Sequence, residues 1–464
     1  MRSVEGKRKM IPQVTVSTAS KVYSVLGNNS SLVPLAIKDI ANSCGLTAAS
    51  YMAGDTHEGK DRFIDEFGTQ AIWLFGIPVY KKALDLAMFK PMGFDPKVDA
   101  RILKNQDILK AAQEFAANDE ILNSLKKVAA NQSKYKYMTI AKFVASTLLT
   151  CVTYFGLTKF RHKYTENQIK KEYFEKHQQQ KGKDVSFMDN SVSTANIPFS
   201  SAFSAVHGKN NKNVTFTGGI QDFIFDPVKN LMLVDASITG ERLSHSRNPQ
   251  DFFGYVIKEG SFWAFMYLAG PMISKALEKR ADAKGKSIDL DARVIESPVL
   301  KNAFADGSIK AHLEAFKAAD KSDVDIYKYA VNPKTNNLLV EFAKMSDVIE
   351  VVDPKAKVQI ADTRRFIDLG DLRGVASKVE KLLGQYEGSG QTIDQFIDVV
   401  RKAKRSAIRT NIGSCIGALG VLAPAIMLLT RKLSPESEYQ VKKDVEAKLA
   451  QQQGIDTKGL VANA

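Results

Sequence analysis

Three short strings in the sequence carry residue types that could do chemistry. Gly54-Asp-Thr-His-Glu-Gly59-Lys60-Asp61 approaches a phosphate-binding loop, in which backbone N–H groups and a lysine cradle phosphates and a Ser or Thr hydroxyl holds magnesium. Asp61 stands where that hydroxyl is needed, and Asp55 and Glu58 would bring negative charge against phosphate. The preceding Thr47–Ala53 is a poor strand, so the string reads as a polar loop leading into a helix at Phe63. His57-Glu58 opens a zinc-protease string, but Asp61 occupies the place of the second ligand.

Leu231-Met-Leu-Val234 followed by Asp235-Ala-Ser-Ile-Thr239 could place an aspartate nucleophile at a strand end. Ser237 stands where the second acid of such a site belongs, and a strand-terminating turn is the simpler reading. The six histidines, His57, His162, His177, His207, His245 and His312, form no metal-ligand spacing and read as surface or juxtamembrane residues. Asp99-Ala-Arg101 and Asp291-Ala-Arg293 recur as a pair; each reads as a helix-capping aspartate ion-paired to its arginine. No catalytic, cofactor-binding or metal-ligating residue is assigned, and a non-enzymatic protein without a cofactor is expected.

The elements around these strings carry more information than the strings do. At 464 residues the chain exceeds one ordinary domain, and 44% hydrophobic with 25% charged residues excludes both disorder and a wholly lipid-buried carrier. The net charge of +14 allows nucleic acid or an anionic membrane as partner. Its placement favours the membrane. Lys134, Lys136, Lys142, Lys159, Arg161 and Lys163 flank one long apolar run, and Arg401, Lys402, Lys404, Arg405, Arg409, Arg431 and Lys432 flank another. Zinc-finger spacing and RNP-type aromatic strands are missing, so nucleic acid is the weaker partner. Cys44, Cys151 and Cys415 form neither a disulfide framework nor a Cys-x-x-Cys pair. The basic start, Met1 to Met10, is followed by a mixed polar stretch, not by the apolar core of a signal peptide.

Aligned on itself, the chain gives three blocks in one order. Asp61–Leu84 lies ungapped on Gly254–Leu277, bringing Ile64 onto Ile257, Glu66 onto Glu259, Pro78 onto Pro271 and Lys82-Ala-Leu84 onto Lys275-Ala-Leu277. Val98–Ile102 lies on Leu290–Val294, and Ile108-Leu-Lys110 on Val299-Leu-Lys301. Ile140–Lys176 lies on Ile412–Lys448, with Glu166 on Glu438 and Gln168 on Gln440. A fainter match sets Ser24–Asn29 against Ser204–Asn211 and Ala53-Gly54 against Thr239-Gly240. The offsets of 191 (110 to 301) and 272 (170 to 442) leave about 81 extra residues in the second copy. The expected organisation is a first repeat over 1–180, a polar linker over 181–201, and a second repeat over 202–464 with a helical insertion at about 303–407.

Thr410–Thr430 is 21 residues without a charge, long enough for one membrane span, which needs ~20. It contains Gly413-x-x-x-Gly417 and a proline, Pro424, that a membrane helix tolerates. Its counterpart, Phe143–Thr158, has 16 uncharged residues within the apolar segment 138–159 and spans if Lys142 and Lys159 snorkel. The upstream runs 68–80 and 260–274 are shorter, of a length for core, re-entrant or interfacial segments, and hold both tryptophans, Trp73 and Trp263, which suit the head-group level or, equally, an aromatic-rich core helix. Residues 102–136 and 308–407 have helical periodicity; within them Asp362–Leu383 reads as a turn into an amphipathic helix, and another helix starts after the glycine-serine joint Gly388-Ser-Gly390, while Val441–Leu449 reads as a short charged helix. Strand signals are confined to Asn213–Thr217 and Leu231–Val234.

The sequence thus predicts a mainly α protein with minor β, internally duplicated as two parallel repeats, with membrane-embedded helices and aqueous helical regions. The expected location is an integral membrane, the cytoplasmic membrane if the source is bacterial. Expected partners are a bilayer with anionic head groups and a second copy or protein partner. The expected role is a membrane-anchored scaffold or membrane-organising protein; the alternative is a small channel or transport component.

Overall fold

The computed structural model describes residues 17–28, 31–53, 55–181, 224–356, 358–433 and 440–452. Among them the architecture is helical, and the minor β content expected from the sequence is reduced to one isolated bridge, Val351 to Ala361. Leu231–Val234 is corrected from strand to helix: it lies inside α8, Pro227–Ser244. A four-residue apolar run suits a buried helix as well as a strand, and here Asp226 caps the helix while Pro227 opens it. The other strand signal, Asn213–Thr217, and most of the expected linker lie outside the described residues.

The first part of the chain forms α1 (Thr18–Gly27), α2 (Leu32–Met52) and α3 (Thr56–Ala71), each started by a capping side chain: Ser17, Ser31 and Asp55. The polar loop expected before Phe63 is shorter than anticipated, because Asp55 accepts from the His57 and Glu58 N–H groups and winds both into the first turn. α3 passes through a π-helical turn, Ile72–Gly76, into α4 (Ile77–Leu84), which ends in a second π turn, Asp85–Phe89. After α5 (Gln106–Glu114) and α6 (Asp119–Ala130) comes α7, Gln132–Lys181, 50 residues in one helix and so about 75 Å long.

The later part again sets a π turn between two helices. α8 is followed by α9 (Pro249–Trp263), a π turn at Ala264–Ala269, and α10 (Gly270–Asp282) with Pro271 in its first turn. Short helices α11 (Ala292–Ile295), α12 (Pro298–Ala305), α13 (Ser308–Ala319), α14 (Asp323–Val331) and α15 (Leu338–Met345) lead to α16 (Leu369–Glu387). α17 (Ile393–Gly417) starts in a capping box made by Thr392 and Gln395. A π turn, Ala418–Leu422, joins it to α18 (Ala423–Leu433), and the charged tail helix is α19 (Gln440–Gln452).

Two kinds of interior result. One apolar core draws on residues 89–138 and 288–400 together, so α5 and α6 and the helices between α10 and α17 pack as one body. Aspartate-x-arginine turns stitch it. In each, the aspartate accepts from the backbone and guanidinium of the arginine two positions on, as expected at Asp99-Ala-Arg101 and Asp291-Ala-Arg293. The structure adds a third, Asp362-Thr-Arg364. Each turn is followed six residues later by a helix cap: Asn105, Ser297 and Asp368. The first and third turns dock on one another, with Arg364 on Asp95 at 2.9 Å and the Arg101 guanidinium 4.4 Å from the Phe366 ring.

The second interior lies among α2, α3, α7, α8 and α9 and is mostly polar. Around it the apolar segments face outward. Phe75, Val79, Leu86, Val152, Leu268, Met272, Val421, Leu422 and Leu429 are all more than half exposed. Two helical stretches are long and apolar enough to cross a membrane, 132–177 and 393–429, and only 17% and 33% of their apolar windows are buried.

Candidate functional site: a buried ionic centre

The polar interior is built from charges on five helices. Asp65, Glu66, Arg161, Arg242, Lys258 and Glu259 are each no more than 6% exposed. Asp65 on α3 sits 3.3 Å from Arg161 of α7, 3.2 Å from Arg242 of α8 and 3.6 Å from Lys258 of α9. Lys258 also pairs with Glu66 at 2.8 Å, while Arg242 donates to Glu259 and to the Tyr154 hydroxyl, each at 2.5 Å. At one end Asp61 takes Arg247 at 2.8 Å and the Thr165 hydroxyl at 2.7 Å. Desolvating so many charges is costly, and only dense mutual pairing offsets it. Arginine supplies most of the cations because its planar fork serves several acceptors at once.

Two further acids, Asp39 on α2 and Asp235 on α8, are buried in the same interior without a cation within ion-pair distance among the described residues. Each is held by a neutral donor from a π turn. Trp73 Nε1–H donates to Asp39 at 3.0 Å, and the Tyr267 hydroxyl donates to Asp235. Both tryptophans make polar contacts inside the bundle: Trp73 is buried against Asp39, and Trp263, half-buried, donates to Thr239. Asp235 is not at a strand end; it lies within α8, one turn before Thr239.

The hydrogen bonds recur at matched positions. Ser43 donates to Glu66 and Thr239 donates to Glu259, at 3.3 and 2.9 Å. Gln70 donates to Ser43 at 2.7 Å, and Trp263 donates to Thr239 at 3.1 Å. Glu66 and Gln70 stand 193 residues before Glu259 and Trp263 (259 − 66, 263 − 70), the offset of the first sequence block. Asp39 and Ser43 stand 196 before Asp235 and Thr239 (235 − 39, 239 − 43). These offsets differ by ten residues from the fainter sequence match of Ala53 to Thr239 (196 − 186).

Between these groups lies a cavity of about 20 Å³, lined by Asp39, Asn42, Glu66, Arg242, Lys258 and Glu259 with Asp235 and Trp73. That is room for one water-sized occupant. Asn42 is fully buried there, and neither its amide nitrogen nor its carbonyl oxygen has a partner.

His57 is buried, not superficial, and pairs with Glu172 of α7. Lys176, with His57, holds the Glu172 carboxyl down at about 2. Nearby, Ile169 and Tyr173 of α7 pack on Val441 and Val445 of α19. These are partners in the third sequence block, each 272 residues apart (441 − 169, 445 − 173).

The sequence reading assigned no site, and no group of three or more His, Cys, Asp or Glu side chains placed to hold a metal occurs among the described residues. Of the phosphate-loop and zinc-protease strings, His57, Glu58 and Asp61 lie along α3, with His57 against Glu172 of α7 and Asp61 against Thr165 of α7 and Arg247, which follows α8. The ionic centre itself had one sequence signal, Glu66 aligned on Glu259. No protein-family model, no curated protein and no solved structure matches this chain.

Proposed function

We propose that the chain is an integral membrane protein of two tandem repeats that anchors and presents a helical aqueous body, acting as a scaffold and not as an enzyme. One observation carries this reading: around the ionic centre the chain is turned inside out, with charges inward and apolar side chains outward. In water such an arrangement forfeits the hydrophobic effect, whereas in a bilayer it is the stable one. A long apolar helix belonging to a soluble core would be mostly buried, and these two are mostly not. The repeat reading is supported by the recurring hydrogen bonds, by π turns at 72–76 and 264–269, and by the packing of Ile169 and Tyr173 on their matched residues. Of the basic residues flanking the spans, Lys134, Lys159, Lys163, Lys402 and Arg409 are exposed and suit anionic head groups, whereas Arg161, Lys142 and Arg405 pair with Asp65, Asp85 and Glu296; the aqueous body is available to a protein partner or a second copy.

Fractionation with an alkaline carbonate wash tests the anchor. The chain should stay with the membrane pellet; recovery in the wash rejects both the anchor and any channel. The transport alternative is favoured by the buried acids Asp39 and Asp235 between the repeats, since intramembrane carboxylates mark ion and proton paths. Ion flux through vesicles holding the purified chain decides between the two, and its absence supports the scaffold.

A further inference from the structure

We propose that the cavity between α2, α3, α8 and α9 is a binding site for a small monovalent cation, of which sodium is the fitting size, in competition with protons on Asp39 and Asp235. Charge is the first argument. Four acids line the cavity, Asp39, Glu66, Asp235 and Glu259, against two cations, Arg242 and Lys258. Both cations are already committed: Arg242 to Asp65 and Glu259, and Lys258 to Asp65, Glu66 and Glu259. Asp39 and Asp235 keep only the neutral donors Trp73 and Tyr267. A buried carboxylate without a counter-charge is far too costly to persist, so it takes up either a proton or a cation.

Ligand chemistry is the second argument. Asp39 and Asp235 each use one oxygen for the indole or phenol donor, and the other accepts nothing among the described residues. The unpartnered Asn42 amide adds a neutral oxygen on the same wall. Carboxylate and amide oxygens around a space one water wide suit a small hard cation.

Backbone is the third. Trp73 and Tyr267, the donors that orient the two acids, both sit in π turns. Such turns cost a helix regular hydrogen bonding and cluster at functional sites. Finding two at matched positions, each presenting a donor to an unpaired acid, ties them to this cavity. The proposal is independent of the scaffold reading, since it concerns an occupant of the bundle and not what the bundle anchors.

The test uses the full chain purified in detergent, with sodium chloride exchanged for N-methylglucamine chloride at constant ionic strength. Ligand that binds only the folded state raises the melting temperature saturably. Sodium should do so at alkaline pH, with a smaller effect at mildly acid pH where protons occupy Asp39 and Asp235; potassium should be weaker. Asp39→Asn combined with Asp235→Asn should abolish the sodium dependence, and Asn42→Ala should weaken it by roughly tenfold. Indistinguishable melting in sodium and N-methylglucamine at both pH values overturns the proposal and leaves water as the occupant. A sodium effect that survives in the double variant overturns it as well. If the variants do not fold, the wild-type titration by calorimetry decides alone: saturable sodium heat with potassium weaker supports the site, and none rejects it.

Discussion

The aqueous body and the bundle are opposite solutions to the same problem. In the aqueous body, Leu300, Ile309, Leu339, Phe342 and Val379 are fully enclosed and, apart from Asp99, Asp362 and Arg364 of the aspartate turns, most charges lie outside. In the bundle, Asp65, Arg242 and Lys258 are enclosed and Phe75, Val421 and Leu429 lie outside. One chain therefore carries two polarities of packing, and on the proposed reading each faces its own solvent, water for the one and lipid for the other. The first is held by apolar burial, the second by pairing of charges across helices.

Removing one partner from a buried ionic network should have the largest effect. Arg242→Met takes the 2.5 Å partner from Glu259 and one of three cations from Asp65, and about 4 kcal/mol of bundle stability should be lost in detergent melting. Amide exchange in α16 should hardly change, which separates the two regions. The converse variant, Leu339→Ala, should cost about 3 kcal/mol in the aqueous body through lost burial and the cavity left behind, with the bundle unaffected. If either variant melts both regions together, the two are one cooperative unit and the comparison fails.

Between bundle helices the fit is tight at glycine. A Cβ on Gly45 would lie 2.4 Å from the Gly420 carbonyl oxygen and 2.7 Å from Pro424. Gly45→Ala should therefore cost about 2 kcal/mol by forcing α2 away from the π turn at 418–422. The Gly413-x-x-x-Gly417 pair is exposed and meets nothing within 4 Å, so Gly413→Ala should leave bundle melting unchanged.

Smaller effects lie at the edge of the bundle. Glu172 is held at about 2, below its ordinary 4.5, by Lys176 and His57. A depressed carboxyl stabilises above its ordinary range and loses that contribution as pH falls toward its folded value. Exchange at α19 should quicken as pH drops from about 4.5 to about 2, and Glu172→Gln should flatten that dependence. On the aqueous surface, Lys317→Ala breaks an exposed pair with Glu380 and should change melting by less than about 0.5 kcal/mol.

Local features were legible in the residues. The Asp99 and Asp291 caps, the start of α17 after a Gly-Ser joint, the tail helix α19 and the outward apolar runs all follow from short-range pattern. At Asp362 the turn into an amphipathic helix was also legible, and it leads to the Asp368 cap of α16 with the same spacing as the other two. The ionic centre was not legible, because Asp39, Asp65, Arg161, Arg242 and Glu259 come from five helices and each alone reads as a solvated charge. The π turns have no signature in residue type, and Leu231–Val234 was misread because a short apolar run has no period to measure.

The inverted packing of the bundle can be tested on the unmodified protein in lipid vesicles with a bilayer-soluble carbene probe, followed by mass spectrometry. The account predicts labelling at Val144, Leu149 and Val152 of α7 and at Val421, Leu422 and Leu429 near α18, with none in α16. Absence of label from both apolar faces in vesicle-bound protein would contradict it.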